Sequence, residues 1–296
     1  IVRALMAYEE RLIRPGKRPI VKPFVAVLGG PPGVGKTSLA EAVPEVCFPG
    51  GGEVLKIEGA DFKRHEHLSR LLGSPPGYVG HGGDGGELLT HIKNHPRSVV
   101  EVSAPEDGVV ELLTRVVRPM LTGSIKSNEG GNAAATRGIT LFLTTNADCV
   151  GRPPRVGIAP SATPEAPAPA DRAGAIRGGF PAPVFSRIGQ TNVFLVDGLS
   201  RDELLEVTRR LLTDLQERER ITLRVEEGVP EVIVDGATGV ERNGVPSIER
   251  AVDRLVHQPL LAWLREHRDS REVLLRPGEG VVSLFHVIPE TGEFHA

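Results

Sequence analysis

FVAVLGGPPGVGKTSLAEAV, residues 24–43, decides how the whole chain is read. It opens with a short valine-rich apolar run closed by Gly29 and Gly30, the pattern of a strand buried on both faces. From Lys36 the stretch KTSLAEAV continues as a helix. Between the two, Gly30–Thr37 fits GxxxxGK(S/T). At such a junction glycines let backbone N–H groups converge on phosphate oxygens, and the helix N-terminus favours negative charge. The pattern assigns Gly30, Pro31, Pro32, Gly33, Val34, Gly35, Lys36, Thr37 and Ser38 to a phosphate cradle. Lys36 is placed to reach the β- and γ-phosphates and the Thr37 hydroxyl to ligate Mg²⁺, so ATP and Mg²⁺ are the expected cofactors. Pro44 lies inside the helix that follows and removes an N–H donor, which predicts a kink or an early end.

Working outward, SVVEV (98–102), ITLFLTTN (139–146) and VFLVD (193–197) read as further strands with helical stretches between them. The fold class is therefore α/β: a P-loop domain with a parallel sheet flanked by helices, followed by a small, mainly helical domain. A leading helix at 2–13, broken by RPGKRP, gives a helix and linker over 1–19. The ATP-binding domain spans 20–198. Within it, 151–179 turns to Pro, Ala, Gly and Arg and is expected to be a flexible insertion. The small domain runs over 199–296. It opens with Ser200 as N-cap and Glu203 in capping-box spacing, and Ile248, Val252, Leu255 and Val256 share one helical face. REVLLRP and GVVSLFHVI read as a closing hairpin.

Composition narrows the function classes. A chain of 296 residues, 40% hydrophobic and 25% charged, has enough apolar residues to bury a core in each of two domains. A net charge of −3 supplies no basic field, so neither nucleic acid nor an anionic membrane is an expected partner. No apolar run approaches a membrane span, and IVRALMAYEERLIRPGKR is too charged for a secretory signal. Cys47 and Cys149 form no CxxC pair, and a cytoplasmic location is expected.

Beyond the cradle, LSRLLGSPPGYVGHGGDGGELLTHIKNHPRSVV (68–100) resembles the AAA+ module of the Clp-type protein unfoldases and disaggregases, in particular the second ATPase ring of the two-ring members. The resemblance runs from about Arg18 to about residue 285 and fails only across the Pro/Ala insertion. It implies a hexameric ring, homo- or hetero-oligomeric, that handles polypeptide through a central pore. Gly77, Tyr78, Val79 and Gly80 match the pore loop, where an aromatic ring grips the translocating chain and the glycines let the loop move. Asn146 matches the family's sensor-1 residue, which orients the attacking water. Arg187 matches the arginine finger that reaches a neighbouring subunit's ATP.

The pattern then breaks. Aligned without a gap from Pro96, the family's Asp-Glu pair falls on Ser103 and Ala104. The Asp supports Mg²⁺ and the Glu polarises the attacking water, so both services are lost. Substitutes are at hand in Glu101, Glu106 and Asp107, although Glu101 points from mid-strand and the other two follow Pro105. The family's sensor-2 arginine aligns with Pro246, with Arg242 or Arg250 as possible compensation; Pro246 also suits the first turn of a helix. The expected function is a ring subunit that binds ATP, with Asn146, Arg187, Ser103 and Glu106 as its catalytic set and hydrolysis impaired. An active motor using a substitute base, and a non-enzymatic nucleotide-stabilised scaffold, are the alternatives. Two histidine pairs, His65 with His67 and His91 with His95, lack a third ligand and predict no metal centre.

Overall fold

The computed structural model describes residues 1–14, 20, 22–48, 52–74, 85–108, 110–128, 133–146, 169–188, 192–267, 272–287 and 294–295. They form two compact units, one of Ile1–Gly30 and Gly35–Val196, the other of Pro31–Val34 and Asp197–Ala296.

The first unit opens with α1 (Val2–Ile13), β1 (Phe24–Gly29), α2 (Lys36–Cys47), β2 (Val54–Glu58), α3 (Leu68–Leu72), α4 (Glu87–Asn94) and β3 (Val99–Ser103). After a helical stretch over 112–120, whose last three residues are α5 (Arg118–Met120), come the short pair β4 (Ser124–Lys126) and β5 (Ala133–Ala135). The unit closes with β6 (Thr140–Thr145), α6 (Pro169–Gly178), α7 (Ala182–Ile188) and β7 (Val193–Leu195). The main sheet has the order β2-β3-β6-β1-β7 and every pairing in it is parallel. Its middle strands β1 and β6 are buried at all six positions, as strands covered by helices on both faces must be.

Alternation along the strands sorts the core into two layers. Val25, Val27, Val100, Val102, Leu141 and Leu143 face a layer that includes Leu88, Ile92 and Val116. Phe24, Ala26, Leu28, Val99 and Phe142 face the other way, against Ala40 and Val43 of α2 and Leu5 of α1. α1 is thus part of this unit rather than a segment standing before it. Leu5 is fully buried, the Tyr8 hydroxyl donates to the carbonyl oxygens of Lys22 (2.8 Å) and Arg137, and Arg97 pairs with the buried Glu9.

Two local expectations are corrected. α2 does not stop at Pro44 but runs three residues further to Cys47, because Pro44 and Val43 are buried against the sheet and packing outweighs one missing hydrogen bond. The Pro/Ala-rich segment is not a loop throughout. Its last third forms α6, which buries Ile176 completely and ties itself to the end of β7 through a 3.0 Å bond from Arg172 Nη2 to the Val196 carbonyl. Residues 151–168 lie outside the described residues.

The second unit holds α8 (Arg201–Glu219), β8 (Thr222–Val225), α9 (Val229–Gly236), α10 (Val240–Asn243), α11 (Val245–Val252), α12 (Gln258–Glu266), β9 (Glu272–Pro277), β10 (Val282–Val287) and β11 (Phe294–His295). The capping box at Ser200 is present in both directions, the Ser200 N–H donating to Glu203 Oε2 at 2.7 Å. β9 and β10 pair as the antiparallel hairpin, and β8 adds in parallel to β9, so this unit carries a four-stranded sheet as well as its helices. Ile248, Val252, Leu255 and Val256 are buried together with Leu212, Ile233, Val273 and Leu275. Among the described residues no helix is long and apolar enough to cross a membrane.

Docking of α1 has a measurable consequence. Leu5→Ala should destabilise the first unit by about 2–5 kcal/mol in urea unfolding, the usual cost of emptying a fully buried leucine site. A change under about 0.5 kcal/mol is what an exposed, independent helix would give instead.

Candidate functional site

The site is built where β1, β3 and β6 end together. Because β1 pairs in parallel with β6 from Phe24↔Thr140 to Gly29↔Thr145, the chain leaves both strands on one edge of the sheet, and β3 arrives beside β6 with Ser103 opposite Thr144. Open α/β sheets bind their ligands at this carboxyl edge.

From β1 the chain turns through the glycine cradle into α2. Gly33 has φ +71° and Gly35 φ +90°, conformations that residues with a Cβ seldom adopt, so the glycines are required by the turn itself. Gly35 is the N-cap of α2 and no side chain caps the helix, which leaves its first-turn N–H groups available to an anion. Lys36 is mostly buried. Its Nζ donates to the Gly30 carbonyl at 2.8 Å and to Asn146 Oδ1 at 2.8 Å, so the ammonium sits between the end of β1 and the end of β6. The cradle fits a polyphosphate in chemistry as well as shape: one fixed ammonium, one uncapped helix terminus, and no carboxylate among the residues Gly30–Ser38. Pro31–Val34 group with the second unit.

At the end of β3 the structure places Ser103 and Ala104. Ser103 Oγ donates 3.1 Å to Glu101 Oε1, and Ala104 has left-handed backbone angles, φ 41° and ψ 54°. Only Arg220 shares that geometry among the described non-glycine residues, and it costs about 1–2 kcal/mol for an L-residue. The Ala104 N–H donates to the Thr144 carbonyl at 2.7 Å, so the strained turn is held against β6.

Among the three candidate carboxylates the geometry separates one from the others. Glu106 and Asp107 lie in a short 3₁₀ turn, Pro105–Asp107; Asp107 is exposed, and the Glu106 side chain is outside the described residues. Glu101, by contrast, is fully buried and on the α2 face of the sheet, with Val99 before it and Ser103 after it. Thr144 Oγ1 donates to its Oε1 at 3.4 Å and the Thr37 hydroxyl lies beside it. Burial pushes its carboxyl above the usual carboxylate range, and the Thr37 and Ser103 hydroxyls offset part of that rise. Thr144 was not singled out from the sequence. Its signal was available: a hydroxyl at the end of a buried strand, on the same face as Phe142 and opposite Ser103 of β3.

The remaining assignments are spread out. Arg187 is exposed in the last turn of α7, a position from which it can reach another molecule. Gly77–Gly80 with Tyr78 fall outside the described residues. In the second unit Pro246 sits in the first turn of α11, while Arg250 is engaged by its own helix, through 3.0 Å bonds to the Pro246 carbonyl and Ser247 Oγ. The Arg242 side chain is outside the described residues. The rings of His91 and His95 meet tilted, 5.2 Å between centroids, His91 bonding Ser98 Oγ; among the described residues no cluster of three or more His, Cys, Asp and Glu is arranged to hold a metal.

Comparison with known proteins agrees with this architecture. The profile of the AAA domain (Cdc48 subfamily) matches residues 22–152. The chain is 24% identical over 241 residues to chaperone protein ClpB 1 of Nostoc sp., covering 80% of this chain and 26% of that protein. It is 27% identical over 260 residues to the ClpB of Corynebacterium efficiens, covering 85% and 28%. Heat shock protein 104 of Schizosaccharomyces pombe is 32% identical over 137 residues, covering 46% and 15%. The chain spans about a quarter of the length of the ClpB relatives it matches. Residues 22–152, with most of the parallel five-stranded sheet and the glycine cradle at its carboxyl edge, thus match an AAA domain, and the chain is similar to ClpB proteins over most of its length.

Proposed function

We propose that this module is an ATP-holding subunit of a Clp-like ring that handles polypeptide, and that its own hydrolysis is slow. One observation carries the reading: Lys36 is fixed between Gly30 and Asn146 at an uncapped helix terminus, while the strand that should deliver two acids ends in Ser103 and is followed by Ala104. The binding half of the machinery is in place and the water-activating half is missing.

In mechanistic terms the uncapped N–H groups of α2 and the Lys36 ammonium neutralise phosphate charge, and the Thr37 hydroxyl is the side-chain ligand available to Mg²⁺. Bound Mg-ATP supplies the phosphoanhydride whose cleavage drives such motors. Asn146, bonded to the Lys36 ammonium, would present its amide to the terminal phosphate of a bound nucleotide. A methyl group at position 104 neither accepts nor holds a proton, so no side chain there activates water. Arg187, exposed on α7, is the group this subunit offers to a neighbour's nucleotide, and Tyr78 is its contact with the polypeptide.

Steady-state turnover and nucleotide affinity, measured on the purified chain at concentrations that allow assembly, test this. Expected are ATP binding that Lys36→Ala weakens at least about tenfold, and turnover at least about 10²-fold below the 1 s⁻¹ of an ordinary motor. Turnover near 1 s⁻¹ that Lys36→Ala abolishes overturns the slow-hydrolysis reading.

Tyr78→Ala should leave ATP affinity unchanged and weaken binding of a fluorescent unstructured polypeptide by the assembled ring. Retained polypeptide binding in that variant would favour a nucleotide-stabilised scaffold.

A further inference from the structure

β3 lost its terminal acids and yet holds a carboxylate two residues earlier. Side chains alternate along a strand, so residues 99, 101 and 103 share a face, and that face packs beneath α2. Position 101 is therefore a core position. Val99, the preceding residue on this face, is apolar, and so is Phe142, the register partner of Glu101 on β6. A carboxylate there gives up its hydration, a cost a leucine would avoid, and a buried charge persists only where something compensates it.

The compensation present is partial. Ser103 Oγ and Thr144 Oγ1 both donate to the same oxygen, Oε1, at 3.1 and 3.4 Å. Oε2 is buried and has no hydrogen-bond partner. Lys56, the register partner on β2, is half exposed and engaged by Glu41 of α2. The carboxylate thus lies beside Thr37, the cradle's metal-ligating hydroxyl, with one oxygen unsatisfied.

We propose that Glu101 is the carboxylate that supports the divalent cation of the bound nucleotide, acting from one pleat behind Ser103 through the Thr37 hydroxyl and the cation's water shell. This rests on the reading of Gly30–Ser38 as a Mg-nucleotide cradle. Two residues of strand set Glu101 back by about 6.6 Å from Ser103, with one extra methylene relative to Asp to recover part of it. Mg²⁺ keeps much of its water and tolerates support from behind that shell. The general base has no such latitude, since it must touch the attacking water. Glu101 faces α2, whereas residue 104 falls beyond the strand in a left-handed turn, so Glu101 replaces the metal-supporting acid and leaves the base unreplaced. The site then binds Mg-nucleotide and turns it over slowly for one and the same reason.

The test is the ratio of a fluorescent ADP analogue's affinity with Mg²⁺ to its affinity in EDTA, measured on the full chain. Wild type should gain at least about fivefold from Mg²⁺, an ordinary coupling between two ligands. Glu101→Gln, which keeps an acceptor for Ser103 and removes the charge, should lose most of that gain while its metal-free affinity stays the same or tightens. Adding Ser103→Asp to Glu101→Gln should restore the gain, a rescue that a packing role would not allow. If Glu101→Gln fails to fold, the equal-sized pair Glu101→Asp and Glu101→Asn makes the same comparison, the gain surviving only in the Asp variant. An undiminished Mg²⁺ gain in the neutral variant overturns the proposal and makes Glu101 a structural group. ADP binding with no Mg²⁺ gain in wild type overturns it while leaving the cradle intact; no nucleotide binding overturns both.

Discussion

The parallel pairing of β1 with β6 is the constraint on which the α/β unit depends. Six consecutive residue pairs in register bring two chain exits to one edge of the sheet. One exit becomes the cradle and α2, the other ends in Asn146, and Lys36 closes the gap between them. A parallel pair cannot be made by a hairpin and needs a long crossover, so each of these strands is buried under helices on both faces. That burial favours apolar residues along the strands. It also makes any polar residue within them conspicuous, and Glu101 on β3 and Thr144 on β6 are two such residues on the face beneath α2.

This explains which parts of the molecule could be read from residues alone. The strands at 24–29, 99–103 and 140–145 are short valine-, leucine- or isoleucine-rich runs, and local composition suffices to mark them. The cradle and the Ser200 capping box are equally local, since a turn or a cap is made by residues within a few positions of each other. α6 was not legible because PADRAGAIRG has little amphipathic pattern; its helix is fixed by Ile176 and Arg172 meeting β7 and the core, contacts distant in sequence. The passage of α2 through Pro44 was hidden for the same reason. Local propensity opposed it and tertiary burial prevailed. The parallel strand β8 joins a hairpin nearly fifty residues further on, a pairing that no local pattern announces.

The candidate site divides along the same line. Lys36, Thr37 and Asn146 lie at the ends of elements whose order gives their positions away. Glu101 is visible in the sequence as a mid-strand carboxylate, but its environment is the α2 face, where Thr37, Ser103 and Thr144 from three different elements surround one side chain. The loss of the acid pair thus looks different in three dimensions. In sequence it is the loss of two acids; in space a carboxylate is still present one pleat back from Ser103 on the same face, while the left-handed turn at Ala104 carries none.

α1 lies on the same unit, at the other end of these strands. Tyr8 is bonded to the carbonyl of Arg137, just before β6, and Glu9 to the guanidinium of Arg97, just before β3. Of these two strands, β6 leads at its far end to Asn146 and β3 carries Glu101 in its middle. A strand in a packed sheet is stiff along its length, so a push or pull on α1 loads both strands at their roots. The leading helix is in mechanical terms a handle on the nucleotide edge, grasped by one tyrosine and one half-buried ion pair.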